Sequence, residues 1–304
     1  DARLNRIVML YEKDSQFEET LDVAVDVFYR AGPDLEGLLT EWIAKQPRSY
    51  MAHLARGVYY TRVGWSRRGA RYVDKTSNKE FDAMEFNFKR AWKDLDQAYA
   101  LNDRLVPALC YMMEILMNFS QQEQIRALRE KALQIDSLSR KARWFYITTL
   151  LPRWGGSIPE ISKEIDDARR YYAKKPTLKV LEGRIPAEYG DQAMFSGDYA
   201  KAVDMYSTAL SHGGHWFYNK QRGETYMRAQ RYDLAAKDLD AAIQLRPNYS
   251  AAQYMRGFGK YTTGRLSEAI IDLTSSVEAN PYDHKAWNIR GDSFLRLGKA
   301  DLAL

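Results

Sequence analysis

The sequence predicts an all-α fold, an α–α superhelix of repeated helical pairs that follows a less regular helical region. Glycines recur every 34 residues in the last third of the chain, at Gly223, Gly257 and Gly291. Alanines and prolines recur with the same period, at Ala235, Ala269, Ala303, Pro247 and Pro281. Upstream of these residues, apolar side chains keep helical spacing. Self-similarity at this period is typical of an array of helical hairpins.

Each repeat contains the residue types that two antiparallel helices need. Gly223 and Gly257 let the first helix approach its partner closely, and Leu239 and Leu273 fill the space between layers. Pro247 stands at a repeat boundary, where a residue without a backbone N–H ends one helix and starts the next. Neither helix of a pair can bury its apolar side alone, so neighbouring pairs must stack.

Turn glycines and a further copy extend this pattern. Gly264 and Gly298 fall between the two helices of a pair, where the backbone adopts a conformation that other residues resist. A fourth copy lies upstream, one residue short of the 34-residue spacing. The residues that take the same roles there are Gly190, Gly197, Tyr199, Ala202, Tyr206 and Ala209.

These stretches resemble the tetratricopeptide repeat (TPR). The aligned text is RGETYMRAQRYDLAAKDLDAAIQLRP, then RGFGKYTTGRLSEAIIDLTSSVEANP, then RGDSFLRLGKADLAL. The resemblance implies a TPR solenoid of about three and a half repeats over residues 183–304. It also implies a scaffold that binds a protein or peptide and is not an enzyme.

The last copy stops at Leu304, inside its second helix. A terminal repeat normally needs a polar cap over its apolar face. We therefore expect the chain to continue, or another element to cover this end, and a second copy of the chain in a homo-oligomer would do so.

The region before the repeats divides into N-terminal helices over residues 1–48 and an irregular TPR-like domain over residues 49–175. Phe17 to Arg30 has apolar residues at helical spacing, and Pro33 opens a second helix. Ala91 follows Gly57 by 34 positions, where a regular repeat has about 12 between corresponding residues. This spacing predicts a TPR-like pair with an insertion of roughly 20 residues.

Two further irregular pairs follow this one. The first runs from Pro107 to Phe119 and from Gln121 to Ile135. The second is split by the text LPRWGGS, after which Ser157 is the expected N-cap of a helix over Ile158 to Tyr172.

Residues 49–172 resemble a bacterial family of unknown function that often precedes TPR repeats. The text that carries the resemblance is the insertion around VGW, the AWKDLDQAYALN helix and the PRWGGS turn. The family implies a helical fold but no activity. The insertion here departs from the glycine-rich text expected of the family.

Composition limits the classes of function. The formal net charge is +5, with 45 basic and 40 acidic residues, so charge alone is a weak argument for nucleic-acid binding.

The most hydrophobic segment, Ala108 to Phe119, is too short to cross a bilayer, so we expect it to form a buried helix. Its Cys110 is the only cysteine, expected to be an inert core thiol. We expect a soluble chain, with the cytoplasm slightly favoured; the periplasm stays open because a segment before Asp1 is missing.

Catalytic and metal-binding patterns are mostly absent. The sequence contains neither a phosphate-cradling GxxxxGK[ST] motif nor a dinucleotide fingerprint. His212 and His215 form the text HGGH, but its glycines would unwind a helix, so the spacing does not place both rings on one face. A glycine-rich turn between repeats is the preferred interpretation, and we expect no metal and no cofactor.

The insertion offers a second hypothesis. Basic residues, among them Arg67, Arg68 and Arg71, are interleaved with aromatic residues such as Trp65 and Phe88. This combination can bind single-stranded nucleic acid, which suggests an RNA-associated adaptor, or it can bind an anionic protein. The preferred interpretation is that the aromatic rings pack the long helices and the arginines stay in water.

The TPR resemblance implies that the first helix of each repeat lines a concave groove. The positions expected in the groove are Phe217, Lys220, Glu224, Met227 and Arg228, then Ala251, Tyr254, Phe258, Tyr261 and Thr262, then Lys285, Asn288, Asp292, Leu295 and Arg296. The predicted partner-binding residues are Phe217, Lys220, Met227, Arg228, Tyr254, Phe258, Tyr261, Asn288 and Arg296. Exposed aromatic residues there suit a helix or an extended segment with apolar anchors.

One TPR mode grips a peptide's C-terminal carboxylate with lysines and asparagines. Glu224 stands where that mode needs asparagine, and a carboxylate there repels such a ligand. Two functional hypotheses accompany the scaffold: an immunity or inhibitor protein that neutralises a secreted bacterial toxin, and the RNA-associated adaptor. A neighbouring N-terminal helix, or the missing C-terminus, is the alternative occupant of the groove.

Overall fold

A computed structural model describes residues 6–7, 9–10, 13–14, 18–29, 32–69 and 75–303. Within these ranges the secondary structure is helical, without strands. The chain divides into two compact units, Asp1–Leu181 and Glu182–Leu304. The second unit begins one residue before the predicted start of the regular repeats, whereas residues 1–48 and 49–175 lie in one unit.

The first unit contains eight α-helices in its described part. They are α1 (Glu18–Asp26), α2 (Pro33–Lys45), α3 (Tyr50–Arg68), α4 (Asn78–Leu101), α5 (Val106–Met117), α6 (Gln122–Ile135), α7 (Arg140–Thr149) and α8 (Ile158–Arg169). Two 3₁₀ helices cover Pro152–Trp154 and Pro176–Gly183. The predicted helix starts at Pro33 and after the N-cap Ser157 are confirmed. The first predicted helix, from Phe17 to Arg30, is observed as α1, which ends at Asp26. The described residues 27–29 are not helical, and Phe17 and Arg30 lie outside the described residues.

The second unit is a run of regular hairpins. Its helices are α9 (Arg184–Phe195), α10 (Tyr199–Ser211), α11 (Trp216–Arg228), α12 (Tyr232–Leu245), α13 (Ser250–Thr262), α14 (Leu266–Ala279) and α15 (His284–Arg296), followed by a 3₁₀ helix, Ala300–Leu302. None of the helices in the described part of the chain is long and apolar enough to span a membrane.

One turn geometry joins successive hairpins in both units. At five junctions the N-cap residue of the following helix donates its backbone N–H to the carbonyl of the residue three positions earlier, which is the C-cap of the preceding helix. The pairs are Ser49 to Gln46 (3.0 Å), Leu105 to Asn102 (3.1 Å), Ser139 to Asp136 (3.1 Å), Tyr249 to Arg246 (3.2 Å) and Asp283 to Asn280 (3.2 Å). The irregular first unit therefore uses the same junction as the regular repeats.

Close packing within a hairpin depends on the predicted glycines. A Cβ atom added to Gly223 or Gly257 would lie 3.0 Å or 2.9 Å from Cγ of Leu239 or Leu273. Such contacts are too short for a side chain, so glycine is needed for the helices to approach. In the first unit, Gly57 repeats this contact, because its added Cβ would lie 2.7 Å from Cγ of Leu95.

The insertion in the first unit lengthens a hairpin. Helix α3 has 19 residues and α4 has 24, whereas α13 and α14 have 13 and 14. Gly64, seven positions after Gly57, packs against Phe88, seven positions before Leu95, and its added Cβ would lie 2.6 Å from that ring. The glycine contact is thus repeated two turns further along the same pair of helices.

Candidate peptide-binding groove

The predicted groove residues share one register in the second unit. Helices α11, α13 and α15 have the N-caps His215, Tyr249 and Asp283. In each helix the predicted residues fall at the second, fifth, ninth, twelfth and thirteenth positions after the N-cap. We call these the groove positions, because equivalent hairpins present equivalent faces.

Three aromatic residues form a row on α13. The ring centroids of Tyr254 and Phe258 lie 6.2 Å apart with planes 10° from parallel, and those of Phe258 and Tyr261 lie 6.4 Å apart at 19°. Phe258 is 36% exposed. On α15, Leu295 occupies the twelfth position and is 55% exposed. Together they give the second unit an accessible apolar surface.

Contacts with α15 fix one end of this aromatic row. The hydroxyl of Tyr261 donates a hydrogen bond of 2.6 Å to Oδ2 of Asp292. The guanidinium of Arg296 lies over the Tyr261 ring, 5.1 Å from its centroid. A cation over an aromatic face is attracted by the ring quadrupole. These contacts hold the orientation of Tyr261 before any ligand arrives.

Two cations on α11 that were predicted to bind a partner, Lys220 and Arg228, instead form ion pairs with Glu224 of the same helix. Nζ of Lys220 lies 2.6 Å from Oε2 of Glu224, and Nη2 of Arg228 lies 2.9 Å from Oε1 of the same carboxylate. Burial opposes the charge of Lys220, but the carboxylate of Glu224 outweighs burial and raises the lysine pKa. Burial likewise opposes ionisation of Glu224, yet Lys220 and Arg228 lower its pKa. The cluster is therefore ionised at neutral pH.

The other predicted residues have different surroundings. Phe217 is half-buried beneath the guanidinium of Arg184, 5.1 Å from its ring centroid. Met227 packs against the buried cluster around Leu239, and its sulfur lies 3.2 Å from the place where a Cβ of Gly259 would be. Asn288 is exposed on α15. Phe258, Asn288 and Arg296 are thus more accessible than Met227.

The first unit has the same register, but four of its five groove positions on α3 are closed. Counting from the N-cap Ser49 gives Met51, Leu54, Val58 and Thr61, and each is 0% exposed. The two units therefore differ in what covers equivalent positions, although their hairpins pack alike.

The predicted basic patch is only partly described. Arg67 is exposed, whereas Arg68 is half-buried, with its guanidinium 5.9 Å from the Trp65 ring and 5.8 Å from the Phe81 ring. Arg71 lies outside the described residues. Phe88 is buried in the hairpin, and Nε1 of Trp65 donates a 2.7 Å hydrogen bond to Glu114. These rings pack against neighbouring helices, as the preferred interpretation states, but Arg68 lies against two of them and is not left in water.

Other reactive side chains have structural surroundings. His212 and His215 are the C-cap of α10 and the N-cap of α11, and Nδ1 of His215 accepts a hydrogen bond from the backbone N–H of Phe217. Cys110 is fully buried, and burial raises the pKa of its thiol. Among the residues that the structure describes, no group of three or more His, Cys, Asp or Glu could hold a metal ion.

Sequence reasoning missed an ion pair that recurs in three hairpins. Each pair is a bidentate contact from an arginine Nε and Nη2 to both oxygens of an aspartate, between 2.5 and 2.9 Å. The pairs are Arg222–Asp238, Arg256–Asp272 and Arg56–Asp94. The dipeptides Arg-Gly and Asp-Leu are the pattern that would have revealed it, 16 residues apart in the repeats and 38 in the lengthened hairpin.

Comparison with protein families gives two matches. A family described as "Domain of unknown function (DUF4034)" matches residues 11–132, and "Tetratricopeptide repeat" matches residues 220–284. Within the chain, a match to this domain of unknown function is therefore followed by a match to the tetratricopeptide repeat.

Similar proteins match only parts of the chain. "Small glutamine-rich tetratricopeptide repeat-containing protein 2" of Saccharomyces cerevisiae is 28% identical over 155 residues, which cover 47% of this chain and 44% of that protein. Mouse "Serine/threonine-protein phosphatase 5" is 30% identical over 90 residues, covering 29% and 18%. The chain spans less than half the length of these curated relatives.

Solved structures of TPR domains also align with the chain. "First TPR of Spaghetti (RPAP3) bound to HSP90 peptide SRMEEVD" aligns with a TM-score of 0.38 at 23% identity, covering 38% of this chain and 93% of that one. "Crystal structure of MamA" aligns with a TM-score of 0.39 at 17% identity, covering 48% and 83%.

Proposed function

We propose that the protein is a non-enzymatic scaffold whose second unit binds a protein segment in the groove along α11, α13 and α15. The observation that carries the proposal is the aromatic row of Tyr254, Phe258 and Tyr261 on α13, together with exposed Leu295 at the twelfth position of α15. Stacked rings that are already oriented lose little side-chain entropy on binding, so they suit the anchor of an interface.

The charges favour a segment with apolar anchors over an acidic tail. Lys220 is already neutralised by Glu224, and the carboxylate of Asp292 lies at the same groove position on α15 as Glu224 does on α11. A terminal carboxylate would meet these two anions, and Lys220 would have to give up Glu224 to receive it. Apolar side chains would instead bury the exposed faces of Phe258 and Leu295.

The test replaces Tyr254, Phe258 and Tyr261 with alanine and measures capture of partners from the native organism by mass spectrometry. We expect partner capture to fall at least about tenfold, a loss of about 1.4 kcal/mol. Circular dichroism should show unchanged helicity.

The matched control replaces Leu245 and Ile271, which are 47% and 66% exposed on the second helices α12 and α14, with alanine. These changes remove exposed apolar surface away from the groove positions, so capture should persist. If the aromatic variant captures partners as well as this control does, the groove assignment is wrong.

A further inference from the structure

Helix α1 and the residues after it lie across groove positions of the first unit. With N-caps Ser49, Leu105 and Ser139, the ninth position of α5 is Glu114, the second of α7 is Lys141 and the thirteenth of α3 is Arg62. All three side chains contact residues between Glu18 and Tyr29, as the distances below show. A segment of the chain itself therefore occupies the place where a TPR groove receives a ligand.

The N-terminus of α1 is held in place by the buried carboxylate of Glu18. Oε1 of Glu18 accepts hydrogen bonds from Oγ of Ser139 (2.6 Å) and the backbone N–H of Lys141 (3.0 Å). Oε2 accepts from the backbone N–H of Arg140 (3.0 Å) and from Nζ of Lys175 (2.6 Å). The carboxylate thus caps the N-terminus of α7, where backbone donors and the helix dipole favour an anion.

The second acid of α1 and the tyrosine beyond it complete the contact. Oδ1 of Asp22 accepts a 2.7 Å hydrogen bond from Nζ of Lys141. The hydroxyl of Tyr29 donates to Oε1 of Glu114 at 3.2 Å, and its ring stacks on that of Tyr111 with centroids 6.2 Å apart. The guanidinium of Arg62 lies 5.6 Å from the Tyr29 ring centroid.

The apolar side chains of α1 divide between two faces. Leu21 and Val25, four residues apart, are 1% and 0% exposed, whereas Val23 is 52% exposed and Val27, directly after the helix, is 48% exposed. A helix of nine residues is not stable alone in water, so α1 depends on this groove for its helical structure. Dependence of this kind is typical of a bound peptide helix.

We propose that the first unit contains a second binding groove, specific for an acidic amphipathic helix, which α1 occupies in cis until a partner protein's helix of the same pattern replaces it. The pattern is an acid at positions i and i+4 facing the N-terminus of α7 and Lys141, with apolar residues at i+3 and i+7. The hydrogen bonds of Glu18 and Asp22 and the burial of Leu21 and Val25 define it. This groove is separate from the α13 aromatic row, so either proposal can fail without the other.

Cys110 provides a built-in reporter for this exchange. It is the fifth residue after the N-cap of α5, which is a groove position, and it is fully buried. It is also the only cysteine of the chain. Its chain neighbour Tyr111 stacks on Tyr29, and Glu114, one turn further along α5, accepts the hydrogen bond of the same tyrosine. Departure of α1 should therefore expose the thiol to an aromatic disulfide reagent while the rest of the first unit stays folded.

The experiment measures the thiol reaction rate of the full-length chain under native conditions. Glu18→Gln removes the charge that caps α7 and pairs with Lys175, so the rate should rise at least about tenfold. Glu41→Gln, which alters an exposed carboxylate on α2, is the matched control and should leave the rate unchanged. A synthetic peptide of residues 18–29 should slow the reaction of the Glu18→Gln chain. A peptide with the changes Glu18→Gln and Asp22→Asn should not.

Three results would overturn the proposal. The first is a thiol that reacts in the Glu18→Gln chain only at denaturant concentrations that abolish its helical circular dichroism. The second is a thiol rate that the acidic peptide does not change. The third is protection that appears with rising protein concentration together with a dimer in size-exclusion chromatography, because a second copy's α1 would then be the occupant. Amide exchange of the unmodified protein gives a fourth check: α1 should exchange faster than α5, and equal rates would make α1 part of the core.

Discussion

Gln230 takes a left-handed backbone conformation, with φ of 57°, between the helices α11 and α12. The same turn has Gly264 and Gly298 in the next hairpins, with φ of 78° and 72°. A side chain in this region crowds the neighbouring carbonyl, which costs about 1–2 kcal/mol, whereas glycine avoids the crowding.

Gln230→Gly should therefore stabilise the protein, by about 0.5–1 kcal/mol after the entropy of the unfolded glycine is subtracted. Urea unfolding followed by circular dichroism measures the change. Gly264→Ala is the reverse control and should destabilise by a similar amount. A Gln230→Gly chain that unfolds at lower urea would show that its side chain has a contact that outweighs the backbone strain.

The charged cluster of Lys220, Glu224 and Arg228 predicts a pH dependence. The pKa of Glu224 is lowered from its usual 4.5, so its contribution is present above that value and is lost as pH falls below it. The pKa of Lys220 is raised from 10.5, so its contribution is lost only as pH rises above that value. Between these limits the pair should contribute fully.

Urea unfolding at pH 7 and pH 3.5 tests this statement. The wild-type chain should lose more stability on acidification than Lys220→Met/Glu224→Gln, which has no such pair to lose. Equal losses in the two chains would contradict the assigned direction.

At the scale of the element, the arginine–aspartate pair joins the two helices of a hairpin next to the glycine contact. Asp272 is 3% exposed in its side chain and accepts from Arg256, which also pairs with exposed Asp240. Asp272 also lies 3.0 Å from Nζ of Lys260, so removing Asp272 takes a buried partner from two cations and leaves Arg256 with its exposed partner alone. One arginine with a buried and an exposed partner therefore offers an internal comparison.

Asp272→Ala should destabilise the protein by about 2–3 kcal/mol, less than for a fully buried pair because Arg256 is partly exposed. Asp240→Ala should change the stability by no more than about 0.5 kcal/mol, as expected of an exposed pair. Thermal and urea unfolding of both variants measure the difference. Equal effects would show that burial does not determine the value of this contact.

The helices were predictable because their causes are local. The 34-residue period gave the hairpins of the second unit, and Pro33 and Ser157 marked helix starts correctly. The insertion was predicted, but its form was not. No sequence pattern within the insertion indicates that α3 is six residues longer than α13 and that α4 is ten residues longer than α14. The closed groove of the first unit was also unpredictable. It depends on Glu18 meeting Ser139, 121 residues away, and no spacing rule links the two.

At the scale of the whole molecule, contacts are mostly between neighbouring elements. Helices α13, α14 and α15 share one buried cluster around Leu273, and α12 and α13 share another around Leu239. In an array of this kind, stability is roughly a sum over repeats and their nearest neighbours.

A local change should therefore have a local effect. In the Asp272→Ala chain, amide exchange should accelerate in α13, α14 and α15, while the protection of α4 and α5 in the first unit stays unchanged. Mass spectrometry of peptic fragments resolves these segments. Uniform acceleration throughout the chain would show that both units unfold as one cooperative body.

The lengthened hairpin of α3 and α4 has a consequence for how such chains can change over time. Gly64 and Phe88 repeat the contact of Gly57 and Leu95 after seven residues on each helix. The two helices therefore make equivalent packing contacts at intervals of two turns. Removing seven residues from each of the two helices would delete one packing contact and leave the other in place. Removing seven residues from one helix alone would shift the remaining contacts out of register. Among natural relatives of this hairpin, length should therefore vary by matched steps of about two helical turns in both helices.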